Sequence, residues 1–319
     1  MNDIVQFFSG KEPTLITTHI HPDGDALGSL LAMTEFLEQR GISAFPVLDS
    51  EVPSRFSFLL GCHRIETPKT RRTPKQYHRA FVLDVGNWER IGNVQSYVAP
   101  DALIANIDHH LSNPGFGTIN ILKPECCATA EILWDIAQQL SFTITESIAT
   151  NLYTGIFTDT GRFQFSNTTS RAFGICARLV ELGAHPELIA QKIYFDTSFE
   201  DIKRIGLLLA KMELFDHGRI CSLRLNRINE VEDTDAVLDM VLSVQGVEVA
   251  VLIAPIRGGK SKVSLRSKQF FDVRKIAESF GGGGHPKAAG FRFRIDPDEM
   301  QNRLIPLLVD ALEQRPIED

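Results

Sequence analysis

Acidic and histidine side chains recur in this sequence at the ends of apolar segments. In chain order they are His19, Asp23, Asp25, Asp84, Asp108, His109, His110 and Asp159. Three groups directly follow the apolar runs at residues 15–18, 81–83 and 103–107, and the last acid closes an apolar helical pattern. Carboxylates and imidazoles without thiolates suit Mn²⁺, Mg²⁺ or Co²⁺ better than a structural zinc ion. The sequence therefore predicts a site for divalent cations.

These residues are expected to converge because of the elements that precede them. The apolar runs are typical of buried parallel strands, and helical patterns at residues 26–40, 128–140 and 147–157 alternate with runs of this kind. Open parallel sheets place their ligand crevice at the carboxyl ends of the strands. We predict an α/β fold with a parallel sheet and helices on both faces, followed by a smaller mixed α/β domain after a helical linker.

Each acid alone has a structural explanation as a turn or capping residue, but four loops carry the same donor chemistry. Converging carboxylates would raise one another's pKa and destabilise the fold unless cations neutralise them. There are enough ligands for two ions about 4 Å apart, an arrangement that activates a bridging water and stabilises the charge of a phosphate ester under hydrolysis. A neighbouring histidine such as His110 could protonate the leaving group. The residues predict a dinuclear phosphoesterase.

The length of 319 residues favours two domains. A helical pattern at residues 199–216 is expected to link them, and residues 220–225, 247–256 and 262–266 are predicted strands of the second. We expect a catalytic domain at residues 1–190, a helical linker at 191–216 and a substrate-binding domain at 217–319.

The order of the motifs resembles that of the DHH phosphoesterase family. The motif His19-x-x-x-Asp23-x-Asp25 is followed by Asp84, the Asp108-His109-His110 triplet and Asp159. The run GGGGHPKAAG at residues 281–290 is similar to the glycine-rich motif of the associated C-terminal domain. A DHH triplet alone occurs by chance, whereas five motifs in order are specific. The layout is most similar to the bacterial nanoRNase and pAp phosphatase group.

The resemblance implies a role for each motif residue. One metal ion would be held by His19, Asp23 and Asp84, and a second by Asp25, Asp84, His109 and Asp159. Asp108 and His110 are the catalytic candidates: Asp108 would orient a ligand, and His110 would contact the scissile phosphate. The resemblance also implies two divalent ions, with Mn²⁺ as the preferred ion and Mg²⁺ or Co²⁺ as alternatives.

A second set of residues is predicted to bind the substrate. They are Arg162, Arg266, Gly282, Gly283, Gly284 and His285. Tandem glycines allow a phosphate to approach the backbone closely, and a helix beginning near Pro286 would add its positive dipole end. The active crevice is expected between the domains.

The implied activity is hydrolysis of very short oligonucleotides to mononucleotides from the 3′ end, together with dephosphorylation of 3′-phosphoadenosine 5′-phosphate (pAp) to AMP. One alternative is a phosphodiesterase of cyclic or linear signalling dinucleotides. An alternative of another class is a non-catalytic nucleotide-binding regulatory module. A homodimer is the oligomeric state that the resemblance suggests.

The formal net charge of −7 is unevenly distributed along the chain. Residues 250–294 hold ten basic and two acidic residues, a net +8, so the rest carries −15. This distribution of charge argues against a protein that binds along long duplex DNA, and it favours an enzyme that binds short substrates with terminal phosphates. No signal peptide or membrane span is apparent, and the five cysteines form no CxxC motif, so a cytoplasmic protein without disulfides is expected. Residues 68–79 are predicted to form a surface loop.

Overall fold

The computed structural model describes residues 2–68, 76–227 and 234–313 of the chain. It divides into two compact units, Met1–Asp196 and Thr197–Asp319. The predicted surface loop lies mostly outside the described residues, and its last positions, from Tyr77 onward, belong to a strand. The domain limits expected from the sequence stay a prediction.

The described residues of the first unit form a parallel sheet and a set of helices. The strands are β1 (Thr14–Thr17), β2 (Ala44–Pro46), β3 (Tyr77–Leu83), β4 (Val98–Asp108) and β5 (Ile119–Leu122). The helices are α1 (Asn2–Phe7), α2 (Gly24–Gln39), α3 (Thr129–Gln139), α4 (Glu146–Asp159), α5 (Ser170–Glu181) and α6 (Pro186–Tyr194).

The order of these strands determines where a ligand can bind. The order is β2-β1-β3-β4-β5, and every neighbouring pair is parallel. The chain adds β2 on one side of β1 and the later strands on the other side, so the loops that leave β1 and β3 diverge and open a crevice. His19 follows β1 and Asp84 follows β3, which brings both residues to this crevice.

Helix α2 is fixed by a cap at its amino end and by packing against two other helices. The Asp23 carboxylate caps it by accepting the N–H groups of Asp25 and Ala26 at 3.1 and 3.0 Å. The helix packs against α3 and α4, and a Cβ at Gly28 would overlap the carbonyl oxygen of Asn151 in α4. The first turn of α2, which carries Asp25, is thereby fixed beside both helices.

The two faces of the sheet are covered differently. Helices α2, α3 and α4 share the largest apolar core with one face. A 3₁₀ segment, Trp88–Tyr97, covers the other face and packs Val94 and Tyr97 against Leu15 and Ala80. The predicted α/β class is confirmed.

The second unit contains a mixed sheet. Its strands are β6 (Glu213–Phe215), β7 (Ile220–Arg224), β8 (Val249–Ile256), β9 (Lys260–Ser267), β10 (Gly283–His285) and β11 (Ala288–Phe293). Its helices are α7 (Phe199–Leu209), α8 (Thr234–Leu242), α9 (Val273–Ser279) and α10 (Pro297–Glu313). The strand order is β10-β11-β9-β8-β7-β6, in which β7 and β8 are parallel and the other pairs antiparallel.

Two local predictions for this unit are wrong. The helical pattern at residues 199–216 ends at Leu209, and β6 occupies residues 213–215 as an edge strand. No helix begins near Pro286, because His285 and Ala288 pair across a two-residue hairpin turn. The glycine run therefore enters a strand, and a helix dipole contributes nothing at this point.

Two expectations about the whole chain can be compared with the described residues. None of the helices in these parts of the chain is both long and apolar enough to cross a membrane. All five cysteines are free, as the absence of paired CxxC spacing predicts.

Candidate metal centre

The loops after β1 and β3 bring one histidine and two acids together. His19 Nε2 lies 3.9 Å from the Asp23 carboxylate and 3.6 Å from that of Asp84. One ligand atom from each of the three residues falls within 4.8 Å of the others. Asp84 adopts a left-handed φ of 56°, which aspartate tolerates better than most residues, and its N–H donates to the Ile107 carbonyl at 2.9 Å. This turn ends β3 and fixes the carboxylate at the crevice.

A second group shares Asp84. Ligand atoms of Asp25, Asp84 and His109 also lie within 4.8 Å of one another. His109 Nε2 is 3.6 Å from Asp84 Oδ1 and 3.4 Å from Asp159 Oδ2, where Asp159 is the last residue of α4. Five of the six expected metal ligands thus lie in two groups that share Asp84, and the sixth, Asp159, lies beside His109.

Asp84 is the most strongly anionic member of the centre. Burial acts to raise its pKa, but the contact with His19 and the positive charges of His110 and His109 outweigh burial and hold that pKa well below the usual range. Burial acts to lower the pKa of His19, but the hydrogen bond with Asp84 and the charges of Asp23 and Asp84 together outweigh it, so the His19 pKa is raised.

The pKa values of Asp25 and of the partly exposed Asp159 shift in the opposite direction. Burial, reinforced by the charges of Asp84 and Asp159, raises the pKa of Asp25 well above its ordinary value. Burial also raises the pKa of Asp159 to about 7, although His109 opposes this change. The pKa of His109 is raised to about 9, because Asp159, Asp84 and Asp25 together outweigh the effect of burial. The protein alone therefore leaves excess negative charge in the centre.

The chemistry of these donors fits divalent cations. Asp25 and Asp84 are 1% and 2% exposed, and a buried carboxylate is costly unless it is paired or binds a metal. The histidines offset only part of that charge, as the raised pKa values of Asp25 and Asp159 indicate. Carboxylate oxygens with imidazole nitrogens are suitable ligands for Mn²⁺ and related ions.

Asp108 and His110 form a pair that adjoins Asp84, with His110 Nδ1 3.7 Å from Asp84 Oδ1. Asp108 Oδ1 lies 2.6 Å from His110 Nδ1, and Asp108 Oδ2 accepts a hydrogen bond from Asn113 Nδ2 at 2.6 Å. Burial acts to raise the pKa of Asp108, but the hydrogen bond and charge of His110, with the hydrogen bond from Asn113, together outweigh burial and lower the pKa. The resemblance implied that Asp108 orients a metal ligand, and this role stays a prediction; in the structure its carboxylate contacts His110 and Asn113, each at 2.6 Å.

Thr129 is a contact that sequence reasoning missed. Its hydroxyl donates to Asp84 Oδ1 at 3.1 Å, and its N–H donates to Asp25 Oδ2 at 2.6 Å. The N–H of Ala130 donates to Asp25 Oδ1 at 2.9 Å, so Asp25 of α2 caps the amino end of α3. The only local signal was a threonine at a predicted helix start.

Arg90 was also missed. Its carbonyl accepts the Ile20 N–H at 2.8 Å, which ties the 3₁₀ segment to the loop that carries His19. The Arg90 charge acts on His19 and opposes its protonation, so this segment brings a cation to the crevice.

The predicted substrate-binding residues have varied surroundings. Arg162 adopts a left-handed φ of 64°, and its guanidinium lies 4.6 Å from the Tyr194 ring centroid. Arg266 pairs with Asp235 at 2.7 Å within the second unit. The remaining predicted residues, Gly282, Gly283, Gly284 and His285, belong to or adjoin strand β10.

The glycines of that run differ from one another. A Cβ at Gly282 would overlap the carbonyl oxygen of Gly290, and Gly284 adopts a φ of 143°. Nothing lies within 4 Å of a Cβ placed at Gly283, so this position faces open space. The role of these residues in substrate binding stays a prediction.

The chain belongs to the DHH family of phosphoesterases. Residues 13–156 match the DHH family, N-terminal domain, and residues 218–314 match the DHHA1 domain. The chain is 31% identical, over 94% of its length and 90% of the relative, to the "Bifunctional oligoribonuclease and PAP phosphatase NrnA" of Thermus thermophilus. It is 26% identical to the protein of the same name from Mycoplasma pneumoniae, over 90% of each chain. The family predicted from the motifs is confirmed.

The fold is also shared with a solved structure. An exopolyphosphatase-related protein from Bacteroides fragilis matches 98% of this chain and 95% of its own, with a TM-score of 0.86 and 24% identity. Both units therefore have the architecture of a known structure.

Proposed function

We propose that the protein hydrolyses very short oligonucleotides to mononucleotides from the 3′ end and dephosphorylates pAp to AMP. The observation that carries this proposal is the 31% identity, over nearly the whole chain, to a relative named as an oligoribonuclease and PAP phosphatase. The clustered acids and histidines of the first unit supply the donor chemistry that such a reaction uses.

Two divalent cations, Mn²⁺ in preference to Mg²⁺ or Co²⁺, are part of the proposal. His19, Asp23 and Asp84 would hold one ion, and Asp25, Asp84, His109 and Asp159 the other. When bound, the ions would supply a water of lowered pKa and offset the negative charge of the phosphate. Asp84 would contribute to both positions, since its carboxylate belongs to both groups of ligand atoms.

The chain's own residues perform the remaining steps. The Nδ1 contact with Asp108 fixes the His110 ring, and Nε2 is the nitrogen that we assign to the substrate. In this role His110 would donate a hydrogen bond to a phosphate oxygen and a proton to the departing alkoxide. Asn113 holds the second oxygen of Asp108 and so stabilises the orientation of the pair.

The substrate would be bound by Arg162, Arg266, His285 and the backbone at Gly282, Gly283 and Gly284. Arginine binds phosphate oxygens with paired, charge-assisted hydrogen bonds. Asp235 orients the Arg266 guanidinium through its 2.7 Å ion pair. The cytoplasmic location and the homodimer stay predictions.

A substrate panel tests this function. Purified protein with Mn²⁺ is incubated with pAp, a labelled dinucleotide, a pentanucleotide, inorganic pyrophosphate and cyclic dinucleotides. We expect release of phosphate from pAp and of mononucleotides from both linear oligonucleotides. Cleavage of pyrophosphate or cyclic dinucleotides alone, with the linear substrates intact, would contradict the proposal.

A further inference from the structure

One face of the second sheet carries several basic residues, most of them at one end of its strands. Side chains alternate along a strand, so Lys260, Lys262 and Arg266 of β9 share one face, while Val263 and Leu265 enter the core on the other. The register places Arg292 of β11 opposite Lys262, on the same face. We call Arg257, Lys260, Lys262, Arg292 and Arg294 the basic strip.

The strip lies away from the glycine motif. Ala288, at the start of β11, pairs with Arg266 on one side and His285 on the other. Arg292 is four residues further along β11, a distance of about 13 Å in an extended strand. Arg257, Lys260, Arg292 and Arg294 line a cleft at this far end, together with Ile256 and Phe293.

The charges of the strip are not offset by ion pairs. Over residues 2–68, 76–227 and 234–313, no carboxylate forms a salt bridge with any of its five members. Arg266 pairs with Asp235 and Arg274 with Asp272, so ion pairs form elsewhere in the same unit. Burial lowers the pKa of Lys262; the charge of Asp235 opposes this change, and the charges of Arg292 and Arg266 add to it, so these cations lie close to one another.

Helix α8 covers part of the surface between the strip and the glycine motif. Ser264 of β9 is 8% exposed and shares its face with Leu252 of β8, where α8 packs against both strands. The neighbouring positions on β11 and β10, Gly290 and Gly283, pair with each other and carry no side chain, so a polymer backbone could run along these two strands from one group of cations to the other. Unpaired cations along an extended path are typical of surfaces that bind single-stranded nucleic acid.

We propose that the basic strip binds the phosphates of nucleotides beyond those held at Arg266 and His285, and so extends the range of substrate length. The proposal rests on the proposed function, because it concerns longer members of the same substrate class. It assigns Lys260, Arg292 and Arg294 to the oligonucleotide backbone, without base readout. A dinucleotide or pAp has too few phosphates to reach from the glycine motif to this end.

The test compares two substrates in two variants. Lys260→Gln/Arg292→Gln/Arg294→Gln removes three strip charges, and Lys203→Gln/Lys211→Gln/Lys275→Gln removes three charges from exposed lysines elsewhere in the unit. The measured quantity is kcat/KM for a pentanucleotide divided by kcat/KM for a dinucleotide. We expect the strip variant to lower this ratio about tenfold and the control variant to keep it. The salt dependence of pentanucleotide cleavage should also become shallower in the strip variant.

A wild-type ratio in the strip variant would overturn the proposal, as would an equal loss in both variants. If wild-type protein cleaves no linear oligonucleotide, the proposed function itself fails, which is a distinguishable result. Should the triple variant not fold, as judged by circular dichroism, Arg292→Gln and Arg294→Gln alone give the same comparison with a smaller decrease.

Discussion

His110 Nδ1 lies 2.6 Å from Asp108 Oδ1, so the side chains of the first and last residues of the DHH triplet are hydrogen-bonded to each other. Asp108 is completely buried, and its other oxygen is occupied by Asn113. The pair is therefore a rigid unit beside the metal ligands, and the triplet combines one ligand candidate, His109, with an oriented histidine.

This relationship predicts the effect of Asp108→Asn. The amide keeps the size of the side chain but loses the negative charge that orients the His110 ring, so kcat on a dinucleotide should fall about 100-fold. Mn²⁺ affinity, measured by calorimetry, should change much less, because Asp108 is outside the proposed ligand set. Wild-type kcat in this variant would show that the pair is only structural.

Thr129→Val tests the support of the shared carboxylate. Valine preserves the shape of the buried side chain and the N–H bond to Asp25, but removes the hydroxyl that donates to Asp84. Loss of a partner behind a metal ligand commonly weakens metal binding, and we expect Mn²⁺ affinity to fall about tenfold. Thr154→Val is the control, since Thr154 is also fully buried but donates to the Thr150 carbonyl. Equal effects of the two variants on Mn²⁺ affinity would contradict the assigned role.

The stability of the metal-free protein should fall as the pH rises from about 5 to about 9. In the folded chain the pKa of Asp159 is about 7 against an ordinary 3.8, and that of His109 is about 9 against 6.5. Both groups therefore hold protons in the folded state that the unfolded chain has released, and this stabilisation is lost as each folded-state pKa is passed. Thermal unfolding in EDTA across this range measures the effect.

Asp159→Asn is the matched variant for that experiment. In this variant the melting temperature should decrease less steeply below about pH 7, where Asp159 titrates in the folded wild-type protein. In the wild-type protein, Mn²⁺ should raise the melting temperature more at pH 8 than at pH 6. The same slope in both proteins would refute the contribution of Asp159.

Arg266→Gln tests the proposed phosphate contact in the second unit. We expect KM for pAp to rise about tenfold with a smaller change in kcat, because one charge-assisted contact to the substrate is lost. Asp235→Asn should raise KM to a lesser extent, since it removes only the orienting ion pair. An unchanged KM in Arg266→Gln would exclude this arginine from the binding site.

The sequence could indicate which acids and histidines come together, because strand ends are visible as apolar runs that stop at a polar residue. Asp84 and Asp108 could be located in this way, and parallel topology then implied their convergence. Thr129 could not be found, since it lies 104 positions from Asp25 and its contact depends on how α3 packs beside α2.

The second unit was harder to predict for a physical reason. Its edge strands β6 and β10 have only three residues each, too short for an alternating pattern to be detected. The glycine run indicated a phosphate loop, but close packing of Gly282 against Gly290 makes part of it a structural requirement of the hairpin. The basic residues were visible in the composition, whereas their concentration at one end of the sheet depends on the register of β9 and β11.

The most direct test of the account is hydrolysis of a labelled dinucleotide and of pAp by Mn²⁺-loaded wild-type protein and by Asp84→Ala. Asp84 contributes an oxygen to both groups of ligand atoms, so its removal should disable the whole centre. The account predicts that the wild-type protein converts both substrates and that Asp84→Ala, folded by circular dichroism, converts neither. Turnover that survives in Asp84→Ala would contradict a reaction centred on this carboxylate.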